Sequence, residues 1–380
     1  MLSCEGQSRA GHDVHLAFGP IYGPEGSLFE RADAFRSPTG ARITTHVVKD
    51  LVREIAPVTD FDAYRALKRL VTDLRPDVVH THSSKAGVLG RAAAWSVRER
   101  AGRPAIVHTI HGPPFHEYES PWKNRLYIES ERFAAKRCHA IVSVADAMTA
   151  RFLAEGIGTP ALYTTVYSGM ETQRFLSPAP GESREDTRRE LGLQPGDLVI
   201  GTVARLAELK GHDDLLSALA PDLNRHPGLK LLWVGDGWLR KTLEDRIASL
   251  GLASKVVLTG LVPPERIPAL VRAMDVLVHP SYREGLPRTV PQALLCGTPV
   301  VAYDVDGTGE VVRDHDTGRL VRAGDLGALR EAVTWMLEDS PRRGATAERG
   351  RALCAERFSA EAMVTGLQKV YDRALAISRG

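Results

Sequence analysis

The sequence predicts an α/β protein of two open parallel sheets, each covered by helices on both faces. Three observations carry this reading. The chain has 380 residues, more than one hydrophobic core ordinarily serves, so two domains are expected. Short β-rich runs alternate with amphipathic helical stretches over nearly the whole length, the pattern of parallel strands joined by helical crossovers. A Pro/Gly/Ser-rich stretch, Ser177-Pro-Ala-Pro-Gly-Glu-Ser183, separates two such series and reads as a linker.

In the first series, strands are expected over residues 14–18, 43–48, 78–81, 105–110, 140–144 and 163–167. Helices over 61–74 and 122–137 repeat apolar residues at three- and four-residue spacing. In the second series, strands are expected over 199–203, 229–234, 256–259, 276–278 and 300–303, with helices over 213–219, 239–250, 265–273 and 328–337. A last helical pattern, 360–378, could pack back on the first domain. The resulting division is a first domain over 1–176, a linker over 177–196, a second domain over 197–358 and a returning C-terminal helix over 359–380.

Composition excludes several classes. The chain is 43% hydrophobic and 25% charged, with a formal net charge of +2, ordinary for a soluble globular protein. Residues 1–180 carry 22 Lys and Arg against 19 Asp and Glu, and the remainder carries 27 against 28. No basic stripe marks a nucleic-acid partner. Cys4, Cys138, Cys296 and Cys354 form no C-x-x-C pair, so neither a disulfide framework nor a zinc site is expected. No apolar run approaches a membrane span, and the stretch from Met1 to Gly11 is too polar for a signal peptide. A cytoplasmic protein is expected, with peripheral contact at the inner face of the membrane open through 121–137. There Trp122, Leu126, Tyr127 and Phe133 alternate with Lys123, Arg125, Arg132, Lys136 and Arg137, diluted by Glu129 and Glu131. An interfacial helix and an ordinary packed helix both fit this pattern.

Ligands of open α/β sheets bind outside the carboxyl ends of the strands, so chemistry is sought in strand-to-helix loops. The segment Gly201–His212 ends a strand near Arg205 and brings Lys210 and Gly211 to a helix start. Two cations beside exposed backbone N–H groups suit a diphosphate, although two surface charges capping a loop would look the same. Val234-Gly-Asp-Gly237 lets the backbone approach a ligand closely or simply makes a tight turn. In Arg283-Glu284-Gly285-Leu286-Pro287, one carboxylate stands before a short apolar helix, free to accept sugar hydroxyls or to act as a capping acid. Gln292 follows eight residues later, about two helical turns on, and Pro291 is tolerable only in a first turn.

Taken in order, V-A-R-L-x-x-x-K-G, V-G-D-G, H-P-S-x-x-E-G-L-P and C-G-T-P-V-V-A resemble the nucleotide-sugar half of family 4 glycosyltransferases. These are retaining enzymes of the GT-B architecture, two Rossmann-like domains facing across a cleft. The resemblance implies that Arg205 and Lys210 grip the donor diphosphate. It implies that Glu284 holds the donor sugar, with the backbone of Gly285 and Leu286 nearby. Gly235 would lie at the donor, and the loop with Leu261 and Val262 would offer backbone groups to the base. Gln292 stands where the family's E-x7-E pattern has its second acid, the ribose contact; an amide keeps hydrogen-bonding capacity but loses charge-assisted strength.

Two loops of the first domain complete the picture. One is His80-Thr-His-Ser-Ser-Lys-Ala-Gly87, the other His108-Thr-Ile-His-Gly-Pro-Pro-Phe-His116. Three histidines in nine residues raise zinc, but no Cys or E-x-x-H pattern joins them. The T-x-H-G run resembles the family's catalytic loop, so His111 would touch the donor sugar near its reacting carbon. Ser83, Ser84, Lys85, Phe115 and His116 are acceptor-side candidates. A hydrogen-bonded core role is the alternative for any one histidine. Asp304-x-Asp306 and Asp314-x-Asp316 lack the context of a metal-binding D-x-D, so no metal and no other cofactor is expected.

The function implied is transfer of a sugar from a nucleotide diphosphate-sugar, with UDP favoured, to a glycan or lipid-linked saccharide in polysaccharide or cell-envelope synthesis. A UDP-sugar 2-epimerase and a truncated, non-catalytic nucleotide-sugar binder are the alternatives. The family opens with a strand and a glycine loop that have no counterpart here: Met1–His12 reads as the tail of the first helix.

Overall fold

The computed structural model describes residues 1–20, 27–52 and 54–379. The chain divides into two compact units, Met1–Met170 with Ala360–Gly380, and Glu171–Ser359. The first unit opens with α1 (Leu2–Arg9), β1 (Val14–Phe18), α2 (Phe29–Ala34), β2 (Ile43–Val47), α3 (Pro57–Leu74), β3 (Val78–His82) and α4 (Ser84–Ala101). It continues through β4 (Ala105–Ile110), α5 (Pro121–Ala135), β5 (Ala140–Ser143), α6 (Asp146–Ala154) and β6 (Tyr163–Thr165). β1 and β2 form a parallel pair, and β3-β4-β5-β6 form a four-stranded parallel sheet. Among the described residues, β1 and β3 are not hydrogen-bonded to each other.

Because successive side chains point to opposite faces of a strand, β4 and β5 feed two cores. Ile106, Ile110 and Ile141 pack with Phe115, Phe152 and Ile157 on one face. Ala105, Val107, Ala140 and Val142 pack on the other, against Leu367, Val370 and Ala374. Those three belong to α15 (Ala360–Arg379), which returns to the first unit after the second is complete.

The second unit holds α7 (Thr172–Leu176), α8 (Arg184–Glu190), β7 (Leu198–Val203), α9 (His212–Arg225), β8 (Leu229–Val234), α10 (Arg240–Ser249), β9 (Val256–Leu258) and α11 (Ile267–Arg272). β10 (Val276–His279), α12 (Thr289–Leu295), β11 (Val300–Tyr303), β12 (Gly318–Val321), α13 (Leu326–Glu338) and α14 (Ser340–Arg357) follow. Its six strands run parallel in the order β12-β11-β10-β7-β8-β9. β7 and β10 are therefore neighbours at the centre, and the loops leaving their carboxyl ends lie side by side.

The unit boundary falls at Met170, ahead of the division at 176 read from the sequence, and the stretch 177–196 is no loose linker. α8 is fastened into the second unit by ion pairs: Arg184 Nη2 and Arg188 Nη2 each lie 2.7 Å from a carboxylate oxygen of Asp275. Arg188 also donates to the carbonyls of Ala273 and Asp197, and Val199 N–H donates to Asp275. One buried carboxylate thus binds α8 to the start of two central strands.

A second buried pair organises the first unit. Arg91 on α4 is fully buried and donates to Glu131 Oε2 on α5 at 2.6 Å. Its Nε donates to Gly87 O. Removing one member of such a pair leaves the other charge uncompensated. Glu131→Leu is expected to destabilise the first unit by about 3–5 kcal/mol, read as a lowered urea midpoint; an unchanged midpoint would show that α4 and α5 do not depend on the pair.

Candidate functional site

The site in the second unit grows from the loops after β7 and β10. The β7 loop runs from Ala204 to Gly211 and reaches Lys210 through Leu209, a non-glycine residue with φ of +62°. Gly211 follows at φ +69°, and a Cβ there would sit 2.0 Å from Pro280 O. Only glycine lets this loop lie against the loop after β10. The two are stitched by backbone: Tyr282 N–H and Ser281 Oγ both donate to Leu209 O, at 2.8 and 3.1 Å. Tyr282 OH and Tyr303 OH each donate to Asp214 Oδ2 at 2.6 Å, fixing the β10 loop to α9.

This frame brings Lys210 Nζ to 2.6 Å from Glu284 Oε1 and to 3.3 Å from Ser281 Oγ. His279, the last residue of β10, places Nε2 3.1 Å from the same Oε1. Glu284 N–H donates to Asp306 Oδ2 at 2.8 Å, and Gly307 N–H donates to Gly285 O at 3.0 Å. Burial alone would raise the Glu284 carboxyl; His279 and then Lys210 outweigh it and bring the carboxyl down from its ordinary 4.5 to about 2. Both side-chain bonds fall on Oε1, and among the described residues Oε2 takes none.

Several expectations change here. Glu284 is not free: it is paired with Lys210, one of the two cations expected on a diphosphate, and its backbone N–H is held by Asp306. Gln292 does not lie two helical turns from Glu284. Gly285-Leu286-Pro287 stays non-helical, α12 begins only at Thr289, and Pro291 occupies its third position, where a missing N–H costs nothing. Gly235, at φ +137°, lies with its Cβ position 2.2 Å from Ala204 O. Its need for glycine therefore comes from the neighbouring β7 loop. Leu286 is buried, Arg205 is exposed with its guanidinium 5.9 Å from the Trp238 ring centre, and Leu261 is exposed beside half-buried Val262.

His279 is the residue that sequence reasoning missed. Its signal was present: it is the histidine of the H-P-S run, five residues before Glu284.

In the first unit, His80 and His82 of β3 and His111, directly after β4, form a histidine column. His80 is held at both nitrogens, Nδ1 to Tyr371 OH and Nε2 to Thr109 Oγ1, each at 2.7 Å. The rings of His80 and His82 have centroids 4.3 Å apart, and the His82 and His111 rings, with centroids 5.3 Å apart and 23° from parallel, meet edge to edge with His82 Nδ1 3.0 Å from His111 Nε2. His108 is a core residue: its ring fills the space a Cβ at Gly87 would occupy, and Thr81 Oγ1 lies 2.9 Å from Nδ1. Burial, then the Arg91 guanidinium, holds His108 well below its ordinary pKa. Among the described residues, no three His, Cys, Asp or Glu side chains converge as a metal-holding group.

The acceptor-side candidates separate. Phe115 is buried, packed on Phe152 at 5.0 Å between ring centres, with its ring in the core beneath the loop. Its apolar ring finds more buried surface beneath the loop than on it. Ser83 is exposed at φ +59°, Ser84 Oγ donates to Glu131, and Lys85 is already paired with Asp60 and the Glu54 carbonyl. His116 is half-buried and clamped through its backbone by Asn124.

Residues 183–353 match the family model described as glycosyl transferases group 1, and residues 2–169 match the glycosyl transferase 4-like domain. The chain is 33% identical over 315 residues to D-inositol 3-phosphate glycosyltransferase of Rhodococcus erythropolis, across 78% of this chain and 68% of the relative. It is 29% identical over 298 residues to UDP-Gal:alpha-D-GlcNAc-diphosphoundecaprenol alpha-1,3-galactosyltransferase of Escherichia coli, across 77% and 74%. Its fold is similar to that of Anabaena HepE, crystallised in complex with UDP, with a TM-score of 0.78 and 21% identity over 94% of this chain and 99% of that one.

The electrostatics of Glu284 give a direct check. Its depressed pKa stabilises the fold by about 3 kcal/mol. That contribution is present above pH 4.5 and lost as pH falls through about 2. Lys210→Ala should raise the Glu284 carboxyl by about one pH unit or more, seen in a carbon-13 NMR titration. An unmoved titration would mean that the pair does not form in solution.

Proposed function

The chain belongs to the family 4-like glycosyltransferases of GT-B fold, and on that premise we propose that it is a retaining enzyme using a UDP-sugar. The observation that carries the reading is the meeting of Lys210 and Glu284 at 2.6 Å on loops of adjacent central strands. Lys has three N–H donors; with one on Glu284 and one on Ser281, the third serves a donor phosphate oxygen. Arg205 supplies the second cation. Glu284 Oε2 accepts a hydroxyl of the sugar being moved, Gln292 binds the ribose, and the backbone around Leu261 and Val262 reads the base. UDP is supported by the ligand of HepE and by the donor named for the Escherichia coli relative. The latter also supports a glycan or lipid-linked saccharide as acceptor.

The bond between the anomeric carbon and the diphosphate oxygen breaks through an oxocarbenium-like state. Lys210 and Arg205 stabilise the departing charge. The acceptor hydroxyl attacks from the same face, its proton passing to a donor phosphate oxygen. Because these two cations provide the compensating charge, the reaction needs no metal.

A panel of UDP-glucose, UDP-galactose and UDP-N-acetylglucosamine, with mass detection of product and NMR of its anomeric configuration, tests this. Glu284→Gln is expected to lower kcat about 100-fold, as for loss of one preorganised polar contact. Gln292→Ala should mainly raise the donor KM, and Gln292→Glu should keep activity. EDTA should leave turnover intact. Inverted product, loss of turnover in EDTA, or a Glu284→Gln effect confined to KM would each overturn the corresponding part.

Peripheral membrane contact belongs to the same reading. No helix among the described residues is long and apolar enough to cross a membrane. On α5, however, Trp122, Leu126 and Phe133 are 66%, 43% and 46% exposed on one face, while Glu131, Ala134 and Ala135 are buried on the other. Arg125 and Lys136 lie on the exposed face, Lys123 sits by the Trp122 ring, and Arg137 lies 3.6 Å over Phe133. Such a face suits an anionic lipid surface. The chain should sediment with vesicles containing phosphatidylglycerol, less with pure phosphatidylcholine, and Trp122→Glu with Phe133→Glu should abolish binding. Equal recovery of that variant would remove α5 from the contact.

A further inference from the structure

We propose that His82 is a positioning residue for His111: the bond between His82 Nδ1 and His111 Nε2, 3.0 Å long, sets the orientation and tautomer of the His111 ring. This rests on the reading of His111 as a contact to the donor sugar.

The geometry is that of a support built from the sheet outward. His82 ends β3 and His111 directly follows β4, its neighbour in the sheet, so the two rings start from adjacent strand ends. The two rings lie 23° from parallel with centroids 5.3 Å apart, the edge-to-edge geometry in which the bond between Nδ1 and Nε2 lies close to both ring planes and sets the angle of the His111 ring. His82 is itself backed by His80 at 4.3 Å. His80 cannot turn without breaking bonds to Thr109 and Tyr371 at its two nitrogens. A column of three rings therefore runs from α15 to the loop carrying His111.

The chemistry of the pair adds a constraint on the proton. A neutral imidazole carries one N–H and one bare nitrogen. Although the outer edge of the ring reaches solvent, desolvation by the surrounding protein, then the nearness of His111, pushes the His82 imidazole down, so His82 is neutral at pH 7. Across the 3.0 Å contact one ring donates and the other accepts. Whichever way the bond runs, Nε2 of His111 is committed to His82. The bond couples the tautomers of the two rings: His111 presents a bare nitrogen at its other edge when Nε2 donates and an N–H there when Nε2 accepts. A ring left to rotate and exchange tautomers would offer a sugar hydroxyl the correct edge only part of the time.

The test combines kinetics with a readout independent of turnover. With the UDP-sugar of the panel that gives the highest turnover, His82→Ala is expected to lower kcat on the order of 10- to 100-fold, the scale of a misplaced contact, with donor KM within about twofold. His82→Asn, whose side-chain amide can occupy the position of Nδ1, should recover most of the loss. Nitrogen-15 NMR of histidine-labelled protein should show one tautomer for His111 in the wild type and in His82→Asn, and averaged shifts in His82→Ala. Unchanged His111 shifts in His82→Ala would overturn the proposal, whatever the kinetics. If His111→Ala leaves kcat intact, the donor-contact reading of His111 fails, while the NMR arm still decides whether His82 positions it. Tyr371→Phe, at the far end of the column, should have a smaller effect of the same kind.

Discussion

Burying the carboxylate of Glu284 is the constraint on which the second unit's site depends. Only 16% of its side chain is exposed, and an ionised group taken that far from water must be paired. Lys210 and His279 supply the pairing, but they must arrive at one oxygen from different places, the loop after β7 and the end of β10. The backbone is shaped to deliver them. Gly211 lies under Pro280 where no side chain fits, Leu209 adopts a left-handed conformation, and its carbonyl takes two bonds from the opposite loop. The loop after β11 closes the arrangement through Asp306. The Tyr282 N–H and Ser281 hydroxyl on Leu209, with the carboxylates of Asp214 and Asp306, hold the frame in which Lys210 and Glu284 meet.

Much of this was legible in the sequence, for identifiable reasons. Strands buried on both faces show as continuous apolar runs, and β7, β8, β10 and β11 read clearly. β12 did not, because Gly318 and Arg319 break its apolar signal; its pairing with β11 supplies what its composition lacks. α8 was hidden for a different reason. Its sequence is polar and follows a Pro/Gly/Ser stretch, and it is held by Asp275, far along the chain. Long-range ion pairs leave no local periodicity.

At the candidate site, Lys210 and Glu284 could be named because they stand in loops after strands within motifs that resemble those of the family. Their mutual pairing could not, since spacing says nothing about which charge a lysine meets first. The burial of Phe115 was not legible either, since its ring turns back under the loop to pack on Phe152. The two units also solve the problem of polar groups at strand ends differently. The second unit balances opposite charges. The first brings imidazoles together that burial holds in low protonation, with neighbouring imidazoles at His80 and the Arg91 guanidinium at His108 adding to it, so orientation there is set by hydrogen bonds.

The position of α15 has a consequence for how the protein is made. Leu367, Val370 and Ala374 cover one face of β4 and β5, and Tyr371 anchors His80. All lie beyond residue 359, after the whole second unit. On the ribosome, the first unit therefore emerges with an apolar sheet face bare and must wait while nearly two hundred further residues are synthesised. During that interval the bare face is available to chaperones or to other nascent chains. The second unit, contiguous in sequence, has no such delay. Order of synthesis and order of folding are thus reversed in this chain, and the part made first is the part finished last.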